Sequence, residues 1–290
     1  MAPAREHGDD GLLYICPTPI GNLGDITLRV LEVLKKSDLV AAEDTRRTLK
    51  LLSHYGISKP LTSYYEHNEL RRVPELLGHL REGKTVALVS DAGMPGISDP
   101  GYRLIKSALD EGLPVEVLPG PSSIETALVS SGFPTDSFLF TGYLPRRRGD
   151  LRKALAGINR EHRTTVAFEA PHRLRHALEE TAALMGERQI AICRELTKKF
   201  QEIKRGSAAA LLAGLPEKVR GEIVMVFEGK PAPEAREDEA KEKEVKTALT
   251  LLLDAGLSPR RASEIVSLLT GAPKNKAYRL ALAMNQDYSS

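Results

Sequence analysis

Thr85-Val86-Ala87-Leu88-Val89-Ser90-Asp91-Ala92-Gly93-Met94-Pro95-Gly96-Ile97-Ser98-Asp99-Pro100-Gly101 is the stretch on which the reading of this sequence turns. Its first five residues form a strand-length run without the polar alternation of a half-solvated strand, which implies burial on both faces. The run ends in a loop holding three glycines, two prolines and two aspartates. Gly101 to Glu111 then has helical spacing and stops at Gly112. Strand, shaped loop and helix make one βαβ half-unit, and open parallel sheets place ligands just beyond the carboxyl ends of their strands.

The same unit repeats on both sides. Leu12 to Cys16, Asp38 to Ala42 and Val115 to Leu118 read as further strands. Thr27 to Lys36, Arg47 to Tyr55, Val73 to Glu82 and Ser122 to Ser131 read as helices. Residues 12–132 are thus expected to form an α/β domain on a parallel sheet. Beyond Gly132, strand-like runs (Phe138 to Tyr143, Thr164 to Phe168, Gln189 to Cys193, Glu222 to Phe227) mix with helical ones (Asp150 to Ala156, His172 to Leu184, Ala208 to Leu215) without strict alternation. A second α/β domain is expected over 133–230, then a charged linker over 231–244. Three helical patterns (Val245 to Ala255, Pro259 to Leu269, Lys274 to Met284) predict a small helix-turn-helix-like domain over 245–290. Residues 1–11 are polar and predict a disordered tail.

The 290 residues carry 41 Lys+Arg against 39 Asp+Glu, so a uniformly basic coat is excluded and any basic surface is local. Residues 11–118 hold 13 bases and 14 acids, whereas 144–176 hold nine bases against three acids. Arg146-Arg147-Arg148 opens the basic segment and is expected in a loop. Segment 194–206 adds five bases against two acids. A polyanion fits such a track. Two distant cysteines, Cys16 and Cys193, argue against a disulfide framework or a cysteine metal site. No apolar signal segment or membrane-length run appears, so a soluble, cytoplasmic protein is expected.

Four loops follow strands of the first domain: Pro17 to Asp25, Ala42 to Arg47, Ser90 to Gly101 and Pro119 to Ser123. None is a Gly-x-Gly-x-x-Gly or a P-loop, which argues against a dinucleotide or a nucleoside triphosphate. Together they predict one shared pocket. These loops, with Thr141-Gly142-Tyr143-Leu144-Pro145-Arg146, Phe168-Glu169-Ala170-Pro171-His172-Arg173, Arg194-Glu195-Leu196-Thr197-Lys198-Lys199 and Gly221-Glu222-Ile223, resemble the tetrapyrrole methylase superfamily over about residues 12–229. Within it, the resemblance is to the branch acting on small-subunit ribosomal RNA.

The resemblance implies two α/β domains with S-adenosylmethionine bound between them, and a homodimer. It implies methylation of a cytidine 2′-hydroxyl in the decoding region of 16S rRNA in the small ribosomal subunit, with no metal and no membrane. It places the donor against Pro19, Gly21, Asp91, Gly93, Met94, Ile97, Ser122, Ser123, Thr141 and Glu222. The acceptor hydroxyl needs a base or a charge to steady its oxygen. Candidates are Glu43, Asp44, Arg46, Glu195 and Lys198, with Asp25 and Lys199 weighed beside them. Arg146, Arg147, Arg148, Arg173 and Lys199 are the expected RNA contacts; Arg260, Arg261, Lys274 and Lys276 either bind RNA or solubilise the tail. Two alternatives remain open at this point: a methylase of a tetrapyrrole-like small molecule, and a non-catalytic RNA-binding assembly factor.

Overall fold

The computed structural model describes residues 11–230 and 233–287, with side chains described over 11–230 and 242–284. The chain divides after Gly229 into two compact units. The expected tail lies outside the described residues except for Gly11, which is buried and donates its N–H to the Leu80 carbonyl at 2.8 Å.

The first unit holds two five-stranded sheets. One contains β1 (Leu13–Cys16), β2 (Leu39–Ala42), β3 (Leu61–Ser63), β4 (Val86–Val89) and β5 (Val115–Val117) in the order β3-β2-β4-β1-β5, all parallel. Helices α1 (Leu28–Lys36) and α2 (Thr45–His54) cover one face, through Val30, Leu34, Leu51 and Leu52. Helices α3 (Glu69–Arg81) and α4 (Tyr102–Asp110) cover the other, through Leu76, Leu80 and Leu104. Burial on both faces is why β4 reads as an unbroken apolar run.

The second sheet contains β6 (Phe138–Tyr143), β7 (Thr164–Glu169), β8 (Gln189–Arg194), β9 (Glu202–Ser207) and β10 (Ile223–Phe227) in the order β6-β7-β10-β8-β9. Only the β6/β7 pair is parallel. Helices α6 (Arg148–Arg160), α7 (Leu174–Met185) and α8 (Ala208–Ala213) pack on one face. The other face receives α5 (Ser123–Ser131), which follows the last strand of the first sheet. Its Ile124, Ala127 and Leu128, with Ile20, pack against Val166, Ala191, Cys193 and Val224. This apolar joint sets the two sheets against each other.

Sequence periodicity misses β3 and β9, and both are edge strands. Edge strands are short or charged because one side must not invite another chain; β9 reads Glu-Ile-Lys-Arg-Gly-Ser. Helix α3 begins four residues before the expected Val73 and carries Pro74 inside it.

The second unit is a bundle of α9 (Pro233–Asp254), α10 (Pro259–Thr270) and α11 (Lys274–Asp287) around Val245, Leu249, Ala262, Val266 and Ala281. The expected linker over 231–244 is therefore helical from Pro233 onward. Its Glu, Ala, Lys and Arg residues are strong helix formers, and charge alone does not prevent a helix. Ser258 caps α10 and Gly271, with φ +70°, ends it.

Candidate active site

Because the first sheet is parallel, its strand ends share one edge, and the four loops meet there. Thr18 and Gly93 exchange both main-chain hydrogen bonds at 2.9 Å, tying the β1 loop to the β4 loop. The Ser90 hydroxyl donates to the Gly93 carbonyl at 3.0 Å, and the Thr18 hydroxyl to the Ser90 carbonyl at 2.9 Å. Gly93 has φ +80°, a conformation costly for a residue with a Cβ. The β2 loop joins through carboxylates: Glu43 Oε2 accepts the Asp91 N–H and Asp91 Oδ1 accepts the Asp44 N–H, each at 3.1 Å. Arg47, in the first turn of α2, pairs with Asp91 at 3.1 Å.

The second sheet supplies the opposite wall. Strand β6 bulges between Phe140 and Tyr143, where Gly142 has φ +69°. The extra residue turns Tyr143 into the cleft, its ring 5.3 Å from that of Phe168. Glu222, Ile223 and Val224 of the β10 start and Ser122, Ser123 and Ile124 of the α5 start complete a cavity of about 190 Å³.

The cavity is acidic. Glu43, Asp91, Asp99 and Glu222 line it, with Arg47 the single lining cation among the described residues. Burial raises the carboxyl pKa of Glu43 and of Asp91 above the usual range. Asp99 is pushed up to about 7, first by burial and then by Glu43, Asp91 and Glu222. It follows Ser98, whose φ of +61° is strained backbone in a loop that the fold holds in place. Sequence reasoning passed over Asp99 and Arg47 as site residues. The two aspartates of one loop were a visible signal, but only the fold shows that both turn inward.

Of the residues expected at the donor, Asp91, Gly93, Met94, Ile97, Ser122, Ser123 and Glu222 line this cavity. Pro19 lines a neighbouring hollow. Gly21 sits where a Cβ would lie 2.4 Å from Lys198 Cγ and 2.9 Å from the Leu196 carbonyl, so it is a close-approach glycine between two loops. Thr141 falls in the β6 bulge, exposed, with its hydroxyl donating to the Val166 carbonyl at 3.4 Å.

The expected proton-handling residues separate into three groups. Glu43 faces the cavity. Asp44 caps α2 and holds Arg46 with two side-chain hydrogen bonds, at 2.9 and 3.1 Å; that contact lowers its pKa to about 2. A carboxylate so held is a poor base. Lys198 donates to Glu195 and Glu222, each at 2.9 Å. Burial alone would lower the Lys198 pKa, but the two carboxylates outweigh it and raise it. Burial alone would raise Glu195, but Lys198 and the Glu222 N–H outweigh it and lower it. This trio is therefore a clamp of two ion pairs centred on Lys198. It joins the β8 end to the β10 start through Glu195 and Thr197, both at positive φ.

The expected RNA contacts also separate. Arg146 and Arg147 are exposed before α6. Arg148 is the first residue of that helix rather than a loop residue, and its guanidinium lies 2.5 Å from buried Glu180, which Arg152 also meets at 2.8 Å. Arg173 is mostly buried. It pairs with Glu169, whose side chain is 1% exposed, and donates to the Leu144 carbonyl at 3.1 Å. Its Nε and Nη1 are buried, so the guanidinium faces the protein interior rather than solvent. Lys199 is exposed, 5.7 Å over the Phe200 ring. In the helical unit Lys274 pairs with Glu264 and Lys276 with Glu242.

The chain is similar to known proteins in sequence and in fold. The profile of tetrapyrrole (corrin/porphyrin) methylases matches residues 12–211, and that of the RsmI C-terminal HTH domain matches residues 239–285. Ribosomal RNA small subunit methyltransferase I of Halalkalibacterium halodurans is 46% identical over 226 residues, 78% of each chain. The Thermotoga maritima protein of that name is 47% identical over 221 residues, 76% of this chain and 99% of its own. Among solved structures, a diphthine synthase superposes with a TM-score of 0.58 at 17% identity, over 75% of this chain and 90% of that one. A uroporphyrin-III C-methyltransferase from Thermus thermophilus, complexed with S-adenyl homocysteine, superposes with a TM-score of 0.55 at 20% identity, over 75% and 97%. The structures establish a shared fold. The relatives at 46–47% identity decide against the small-molecule and non-catalytic alternatives. This chain belongs to the tetrapyrrole methylase family and, within it, to the ribosomal RNA small subunit methyltransferase I group.

Proposed function

We propose that this protein transfers a methyl group from S-adenosylmethionine to the 2′-hydroxyl of a cytidine in the decoding region of 16S rRNA, acting on the small ribosomal subunit in the cytoplasm as a homodimer. The observation that carries the donor assignment is the charge of the cavity: Asp91 and Glu222 are answered by Arg47 and Lys198, whereas Glu43 and Asp99 line it without an ion pair among the described residues, and that surplus of acid suits a cation. A fold neighbour described as complexed with S-adenyl homocysteine supports it, as do relatives named for ribosomal RNA methylation. The lining residues fit such a molecule. Glu43, Asp91, Asp99 and Glu222 face its positive charge, Met94 and Ile97 offer apolar contact, and Ser122 with Ser123 offers hydroxyls at the α5 start. The bound donor supplies an electrophilic methyl on a sulfonium, and the protein's task is chiefly to align it with an oxygen.

As the ribose oxygen gains its methyl it loses a proton, and a base beside it eases that loss. Asp99 is the best placed. It lines the cavity and accepts no hydrogen bond from the described residues, and its carboxyl titrates near neutrality. Asp44, Glu195 and Lys198 are locked in ion pairs and shape the walls instead. Arg146, Arg147 and Lys199 carry charge for the RNA backbone. The test is methyl transfer from labelled donor to purified small subunits, followed by nucleoside mass analysis. Label in 2′-O-methylcytidine is expected; label on a base, or none, contradicts the reading.

A further inference from the structure

Beside the acidic cavity lies a second hollow of about 170 Å³ whose character is opposite. Pro19, Leu23 and Leu51 give it an apolar wall, and Arg47 and Lys50 give it positive charge. Its one acid, Asp91, is answered by Arg47 at 3.1 Å. Asp91 and Arg47 line both hollows, so one ion pair is the partition between them. Leu23 is 41% exposed with only solvent to cover it, and Lys50 is exposed and carries no ion pair among the described residues.

We infer that this second hollow is the acceptor subsite, holding one ribonucleotide of an RNA chain. Its sugar and base lie against Pro19, Leu23 and Leu51, and its phosphate meets Lys50 and the outer edge of Arg47. The inference rests on the methyltransferase reading and adds to it the place of the acceptor. Two reactants must touch for an in-line displacement, so the 2′-hydroxyl of the nucleotide held here reaches past the Arg47–Asp91 pair into the acidic cavity, where the donor and Asp99 lie. The charges sort the reactants: the cationic donor on the acid side of the pair, the anionic polymer on the basic side. Splayed single nucleotides, with an apolar surface for the base and a cation for the phosphate, are how sequence-bearing RNA is usually held.

The test compares Lys50→Glu, Lys50→Arg and Leu23→Ala with the wild type, using purified small subunits and calorimetry with S-adenosylmethionine. Lys50→Glu is expected to raise KM for subunits about tenfold and to lower the salt slope of subunit binding by about 0.7–1. Lys50→Arg is expected to keep both, and Leu23→Ala to raise KM less. Donor affinity stays within about twofold throughout, as expected for a change in acceptor binding alone. A weakened donor with unchanged KM assigns the hollow to the donor and overturns the inference, as does a Lys50→Glu variant unchanged in both. Wild-type protein that binds no donor or methylates no RNA defeats the broader reading instead, and that control is run alongside.

Discussion

The Glu43 carboxylate accepts the main-chain N–H of Asp91 at 3.1 Å, across 48 residues of chain. With the Asp44 N–H bound to Asp91 in return, the ends of β2 and β4 are locked loop to loop. The lock sets Arg47 against Asp91, and that pair divides an acidic hollow from a basic one. Glu43, a candidate base in the sequence reading, and Asp91, a candidate donor contact, thus also fix the boundary between the two hollows.

Asp99→Asn is expected to lower kcat about 100-fold, a common size for loss of a general base. In the wild type the rate should climb as pH rises through about 7, where Asp99 ionises, and that limb should vanish in the variant. A variant retaining both the rate and the limb assigns the proton to another group.

The same carboxyl should appear in stability. Its folded pKa, about 7, exceeds the unfolded value of about 4, so its contribution is full below pH 4 and is lost as pH rises through 7. Thermal melts from pH 4 to 8 should fall less steeply in Asp99→Asn than in the wild type.

A sulfonium beside these carboxylates favours their ionised forms. Donor affinity should therefore strengthen from pH 6 to pH 8, while the neutral thioether product should show a weaker trend. Calorimetry of both ligands at the two pH values decides this; equal slopes would place the positive charge away from Asp99.

Arginines from one basic segment should behave in two ways. Arg146→Ala with Arg147→Ala should weaken subunit binding and its salt dependence with little change in melting temperature. Arg173→Ala leaves Glu169 buried without its partner and should cost about 3–5 kcal/mol of stability. Urea titration beside filter binding distinguishes them.

Phe200 is 68% exposed beneath Lys199, two residues past the Lys198 clamp. Phe200→Ala is expected to weaken subunit binding by about 1–3 kcal/mol if a base stacks there, and Phe200→Trp to retain it. Loss of binding in both variants, measured by filter binding, would point to shape rather than stacking.

The sequence by itself determined the parallel sheet, its helices and the four loops after strands, because β1, β2 and β4 are buried on both faces and glycines close α4 and α5. Its motifs also carried the family. It did not reveal β3 or β9, since β3 is only three residues long and β9 reads Glu-Ile-Lys-Arg-Gly-Ser, with no apolar run to mark either. The tertiary structure alone decided which charges are free. Arg148 and Arg173 look like Arg146 and Arg147 in a linear basic run, yet each meets a buried glutamate brought from 32 residues away for Arg148 and four for Arg173. It alone also brought Asp99 to Glu43, Asp91 and Glu222. A pKa near neutrality arises from burial and from like charges converging in space, and neither is written in the order of residues along the chain.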